Sequence, residues 1–156
     1  MDSPKILIDV LELADEQTVA AFARLIPQLS TSAPVPDSDL VARVLAHPAN
    51  TVFAARTGHG DAVADIVGLA VLVTLELPTG REARIEDVVV DTAARGLGAG
   101  RALVTAALAR AAAQHARYVD LTSAAHRTAA RALYTSLGFT ERETGVFRHP
   151  LDDLRG

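Results

Sequence analysis

The residues with the clearest chemical potential stand in a row, Arg95-Gly96-Leu97-Gly98-Ala99-Gly100-Arg101. They follow an apolar segment and precede a long stretch of helical composition, so the chain enters a helix through a glycine-rich turn. Helix N-terminal amides point outward unpaired and favour an anion. Glycine lets the backbone close around that anion without Cβ collisions. Arg95 and Arg101 add positive charge beside it. A nucleoside triphosphate loop would need Gly-x-x-x-x-Gly-Lys-Ser/Thr, and that lysine and hydroxyl are missing. A dinucleotide turn would need G-x-G-x-x-G. Gly96 and Gly98 supply two of its positions, but Arg101 occupies the third, although Asp120 could mimic the ribose-binding acid. A dinucleotide fold would also begin with this unit and alternate onward, which this chain does not do. The bland reading is an ordinary tight strand-to-helix turn.

Two other places carry groups suited to proton transfer. Glu86 sits in a strand otherwise too apolar to need a charge, and its bland role is to pair with Arg84 or Arg81. In a regular strand Asp87 points to the opposite face, which a bulge would reverse. Tyr134 lies on the flank of the apolar stripe Ala130, Leu133 and Leu137, where its ring can be buried while its hydroxyl reaches a cavity. Its bland role is a hydroxyl bonded to a backbone carbonyl. The five histidines (His47, His59, His115, His126 and His149) show neither His-x-x-x-His spacing nor an acid cluster, so no metal is expected.

Composition narrows the field. The chain has no cysteine, which removes disulfides, thiolate metal sites and a cysteine nucleophile together. A formal net charge of -4 gives no overall electrostatic case for nucleic acid. The acidic N-terminus lacks a signal-peptide pattern. The longest apolar run, residues 66–73, is far short of the roughly 20 that span a bilayer. A soluble cytoplasmic protein with no membrane partner is the expectation. At 156 residues, one domain over residues 1–156 is expected.

The elements that must position these residues follow from pattern. Residues 5–11 alternate as a strand. Helical spacing marks 15–29 and 37–46, joined by a Ser/Thr/Pro loop at 30–36. Strands are expected at 51–56, 65–77 and 81–91, with turns at 58–61 and 78–80. The apolarity of Val88-Val89-Val90 suggests burial on both faces. Residues 97–115 form a long helix, 118–122 a strand, and 127–137 a helix ended by Gly138. Residues 140–149 should return as an edge strand. Hairpins make the middle strands antiparallel, while the strand–helix–strand unit at 85–122 should be parallel and right-handed. The fold is mixed α/β, with a mostly antiparallel central sheet, flanking helices and one parallel pair.

In this context Arg95, Gly98 and Gly100 fit the acyl-CoA turn R/Q-x-x-G-x-G/A. The segment Ile85-Glu86-Asp87-Val88-Val89-Val90-Asp91, four residues, then Arg95 to Arg101 resembles the central motif of the GCN5-related N-acetyltransferase (GNAT) family. Ala130-Arg131-Ala132-Leu133-Tyr134-Thr135-Ser136-Leu137-Gly138-Phe139 is similar to its second motif, A-x-x-L-Y-x-x-x-G-F. The order of elements agrees over nearly the whole chain. The strand around Glu86 is also similar to that of glucosamine-phosphate N-acetyltransferases, a local likeness that barely constrains substrate.

The resemblance implies a sheet splayed at its parallel pair and direct acetyl transfer from acetyl-CoA to a primary amine. No covalent enzyme intermediate and no metal are implied. It gives Arg95, Gly96, Leu97, Gly98, Ala99, Gly100 and Arg101 the pyrophosphate, and the backbone of Val88, Val89 and Val90 the pantetheine arm. It casts Tyr134 as the acid for the leaving thiolate and Glu86 as the base, direct or through water. Asp87 and Thr31, in the loop covering the acceptor side, would orient the substrate. One departure is Arg127, where the family often has Asn facing the pantetheine. The acceptor is a small-molecule or peptide amine of open identity, and homodimers are common in the family. The alternative of another class is a non-catalytic acyl-CoA-binding sensor of the same fold, which turnover over an amine panel separates.

Overall fold

The computed structural model describes residues 4–58 and 64–154, and the chain divides into two compact units, residues 1–122 and 123–156. The first unit holds strands β1 (Lys5–Val10), β2 (Asn50–Gly58), β3 (Ile66–Leu77), β4 (Gly80–Val90) and β5 (Val119–Asp120). Helices α1 (Glu16–Leu29) and α2 (Ser38–Ala46) lie between β1 and β2, and α3 (Ala99–Ala113) lies between β4 and β5. The sheet order is β1-β2-β3-β4-β5. The first four strands are antiparallel in sequence order, and β4 pairs β5 in parallel.

Local chemistry sets the boundaries. Asp15 and Asp37 are extended residues whose carboxylates accept from the Thr18 and Leu40 amides, both at 2.8 Å, so each caps a helix. The backbone bond to Thr18 is the main cause that holds the Asp15 pKa below its usual value. The expected helix start at Leu97 moves to Ala99, because Gly96 and Gly98 take φ +84° and +83°, outside any right-handed helix.

The two sheet faces bury different partners. Val52, Leu69 and Val89 join Phe22, Leu25 and Val41 in one core against α1 and α2. Ala55, Ala70, Leu72, Ala83 and Ile85 occupy the other face, where α3 contributes Leu103, Val104, Ala107 and Ala111, all buried. Small residues let α3 sit close: a Cβ on Gly68 would meet Leu103 Cδ1 at 3.0 Å. That approach fixes where the N-terminus of α3 lies over the sheet.

The second unit holds α4 (Thr128–Ser136) and a short 3-10 turn, Asp152–Leu154. The edge strand expected at 140–149 does not form, and those residues are irregular and mostly exposed, with Phe147 98% accessible. The reason lies in its pattern. Alternate positions are Thr140, Arg142, Thr144, Val146 and Arg148 on one side and Glu141, Glu143, Gly145 and Phe147 on the other. Neither side offers a continuous apolar face, so burial specifies no register. The strand expected at 118–122 shrinks to two residues. The turn expected at 58–61 lies, from His59 onward, outside the described residues.

Candidate active site

The site begins where β4 loses a neighbour. β5 pairs β4 only at Ala83↔Val119 and Arg84↔Asp120. Beyond them, among the described residues, no strand pairs that edge of β4. Asp91 donates its N–H to the Val67 carbonyl at 2.8 Å. By the alternation of an antiparallel ladder, Val89 then faces β3, while Val88 and Val90 turn their backbone groups to the open edge. An extended ligand chain can bond there as an added strand would.

A bulge stands at the head of this edge. Glu86 lies opposite Val71 and Val89 opposite Leu69, so Asp87 and Val88 together face the single residue Ala70. Asp87 takes φ +53° to make the turn, a conformation that Asp tolerates better than most residues. It is the exposed residue of a strand in which Ala83, Ile85 and Val89 are buried. Partial desolvation of its carboxyl, and then the Glu86 charge, hold its pKa above the usual carboxylate value. Glu86 shares the sheet face of Val71, on the side of α1 and α2. Its Oε1 accepts from Arg84 Nε at 3.0 Å, with both side chains partly exposed, so of its two bland partners it pairs with Arg84. Thr31 is exposed in the loop joining α1 to α2.

The open edge runs into the glycine turn. Asp91 caps the 3-10 turn Thr92–Ala94, and Arg95 leaves it extended and exposed. A Cβ on Gly96 or Gly98 would meet nothing within 4 Å, so it is the left-handed backbone, not a close neighbour, that calls for glycine at both. Gly98 is the N-cap of α3, and among the described residues no side chain caps this helix. Among the described residues, no carboxylate or hydroxyl therefore competes for the first-turn amides at Ala99 and Gly100. Ala99 is buried and pins the helix to the sheet, while Leu97 and Arg101 are exposed. Oriented amides, a positive helix end and Arg95 together fit a pyrophosphate.

Tyr134 belongs to the second unit. Gly138, at φ +93°, follows α4, and its N–H bonds to Thr135 O while Phe139 N–H bonds to Tyr134 O. This is a Schellman cap. It brings the Phe139 ring edge-on to Tyr134, with centroids 5.8 Å apart, so the Gly-Phe of the motif fixes the tyrosine ring. Among the described residues the Tyr134 hydroxyl has no hydrogen-bond partner, and burial is the main cause that raises its pKa, against the opposing Arg127 charge. Among the described residues, the buried Oγ of Ser123 has no hydrogen-bond partner, a feature that no sequence pattern signalled.

The comparisons with known proteins support a class, the acyltransferases. The profile of the acetyltransferase (GNAT) family matches residues 9–139. The chain belongs to that family. It is similar to a protein from Agrobacterium tumefaciens assigned as an acetyltransferase, at 26% identity and TM-score 0.77, covering 92% of this chain and 99% of that one. Two further likenesses show the fold. Glucosamine-6-phosphate N-acetyltransferase from Arabidopsis thaliana matches at 18% identity and TM-score 0.76, over 93% of this chain and 98% of that one. Aminoglycoside N-acetyltransferase AAC(6')-Iy in complex with CoA matches at 18% identity and TM-score 0.73, over 96% and 97%. No curated protein matches the chain. Among the described residues no helix is long and apolar enough to cross a membrane, and no group of three or more His, Asp or Glu side chains could hold a metal ion.

Proposed function

We propose that this protein is an N-acetyltransferase that moves an acetyl group from acetyl-CoA to a primary amine by direct attack. One observation carries the reading: in a GNAT-family chain, an unpaired strand edge at Val88 and Val90 leads into an uncapped helix N-terminus with two left-handed glycines. The complex of AAC(6')-Iy with CoA supports the choice of donor. Residues 95–101 hold the pyrophosphate, and the backbone of Val88 and Val90 holds the pantetheine arm and polarises the thioester carbonyl. The amine nitrogen bonds to the acetyl carbon and the carbon–sulfur bond breaks. Glu86 accepts the amine proton, directly or through water, and Tyr134 donates its phenolic proton to the departing thiolate. Asp87, offset by the bulge, and Thr31 orient the amine. The acceptor is a small molecule or the amine of a peptide, and the protein acts in the cytoplasm without nucleic acid or membrane.

The test is release of CoA thiol from acetyl-CoA over a panel of amino sugars, aminoglycosides, polyamines and peptide N-termini. At least one amine should raise release well above hydrolysis, and uniform hydrolysis rates with tight CoA binding would mark a sensor instead. With the active acceptor, Glu86→Gln is expected to lower turnover most at neutral pH and recover toward high pH, where free amine is plentiful. Parental activity at every pH would move the base to Asp87 or to water.

A further inference from the structure

The eight residues between β4 and α3 include four of the seven given to the donor's pyrophosphate, yet little of their own side-chain surface is buried. Of residues 91–98 only Ala94 is buried and Asp91 half-buried, and the other six are exposed. With two glycines among them, this segment has many conformations to lose when an anion binds. Something must hold its first residues, and the structure shows what does. Arg24 and Gln28, one turn apart on the exposed face of α1, reach the adjacent residues Asp91 and Thr92.

The contacts divide the work. Arg24 Nε donates to Asp91 Oδ2 at 3.4 Å, while its Nη2 donates to the Ile66 carbonyl at the start of β3. Asp91 Oδ1 accepts from the Ala93 amide at 3.0 Å, so one carboxylate joins α1 to the 3-10 turn. Gln28 uses both ends of its amide. Its Nε2 donates to the Arg24 carbonyl at 3.3 Å, which aims Oε1 at the Thr92 N–H, 3.0 Å away. Exposed polar residues on a helix are ordinarily a solvated face. Here both are spent on one backbone link 64 and 67 positions away.

Resting on the function proposed above, we infer that Arg24 and Gln28 are positioning residues for the donor's pyrophosphate, clamping Asp91 and Thr92 so that the glycine turn is set before the anion arrives. They touch neither reacting atoms nor the anion. Their contribution is the ordering that the free segment would otherwise undergo on binding. The clamp also ties the donor turn to the helix that leads into the Thr31 loop.

The test uses Arg24→Met, Gln28→Met and the double variant in the full chain. CoA affinity is measured by calorimetry, and backbone hydrogen exchange is followed without ligand. The double variant should bind CoA about 5- to 30-fold more weakly, the scale of two lost, partly exposed hydrogen bonds. Exchange should quicken over residues 92–98 and stay parental in β2. CoA affinity within twofold of the parent, or exchange quickened throughout the sheet, would overturn the inference. A parent that binds no CoA would overturn the proposed donor and this inference with it, whereas tight parental binding with indifferent variants overturns the clamp alone.

Discussion

Tyr134→Phe is expected to slow turnover by roughly one to three orders of magnitude while folding and CoA affinity survive. The substitution keeps what holds the residue. The Schellman bonds at the end of α4 are backbone bonds, and the edge contact with Phe139 needs only the ring. What disappears is a hydroxyl with no protein partner among the described residues. Burial holds its pKa above the ordinary value near 10, so it is protonated at neutral pH and can donate. A proton donor that acts only on the departing thiolate lowers kcat and leaves the acceptor KM nearly unchanged. The sign in pH follows: loss of the donor form belongs to the alkaline side, above pH 10, and that limb should vanish in the Phe variant. Equal turnover in the two proteins, measured where chemistry limits the rate, would make the hydroxyl structural.

Gly98→Val is expected to cost about 10- to 100-fold in CoA affinity with the fold retained. Gly98 caps α3 at φ +83°, where a β-branched side chain is strained by about 1–3 kcal/mol. A Cβ there meets nothing within 4 Å, so the free protein suffers no clash and the sheet and its core remain. Relief of the strain requires the residue to leave the left-handed region. That shift redirects the first amides of α3, the groups proposed to receive the pyrophosphate. Calorimetric titration with CoA reads the change, and thermal melting checks the fold. A folded Gly98→Val protein with parental affinity would remove the turn from the donor site.

Much of this was legible in the residues because it depends on local chemistry. Asp15 and Asp37 announce helix starts because a carboxylate satisfies amides three residues on. Gly138 announces a helix end because only a residue free to take positive φ closes a Schellman cap cheaply. Gly96 and Gly98 mark the turn before α3 for the same reason, since both take positive φ. The segment at 140–149 shows the limit of such reading. Its composition suggests a strand, but a strand also needs a face to bury and a neighbour to pair with.

Other features came from contacts between distant parts of the chain. The bulge that turns Asp87 out of the strand appears only in the mismatch between β3 and β4, where two residues face Ala70. The open edge at Val88 and Val90 exists because β5 pairs for two residues and then stops, a property of strand pairing that neither segment encodes alone. The clamp of Arg24 and Gln28 on Asp91 and Thr92 joins residues more than sixty positions apart. Sequence by itself determined the helices with their caps, the central strands, the glycine turn and the family motifs, since backbone preference and side-chain spacing act within a few residues. Tertiary structure alone decided which edge of β4 lacks a pairing strand among the described residues, where Asp87 points and which residues contact the turn, because each of these is set by how one segment is held against another.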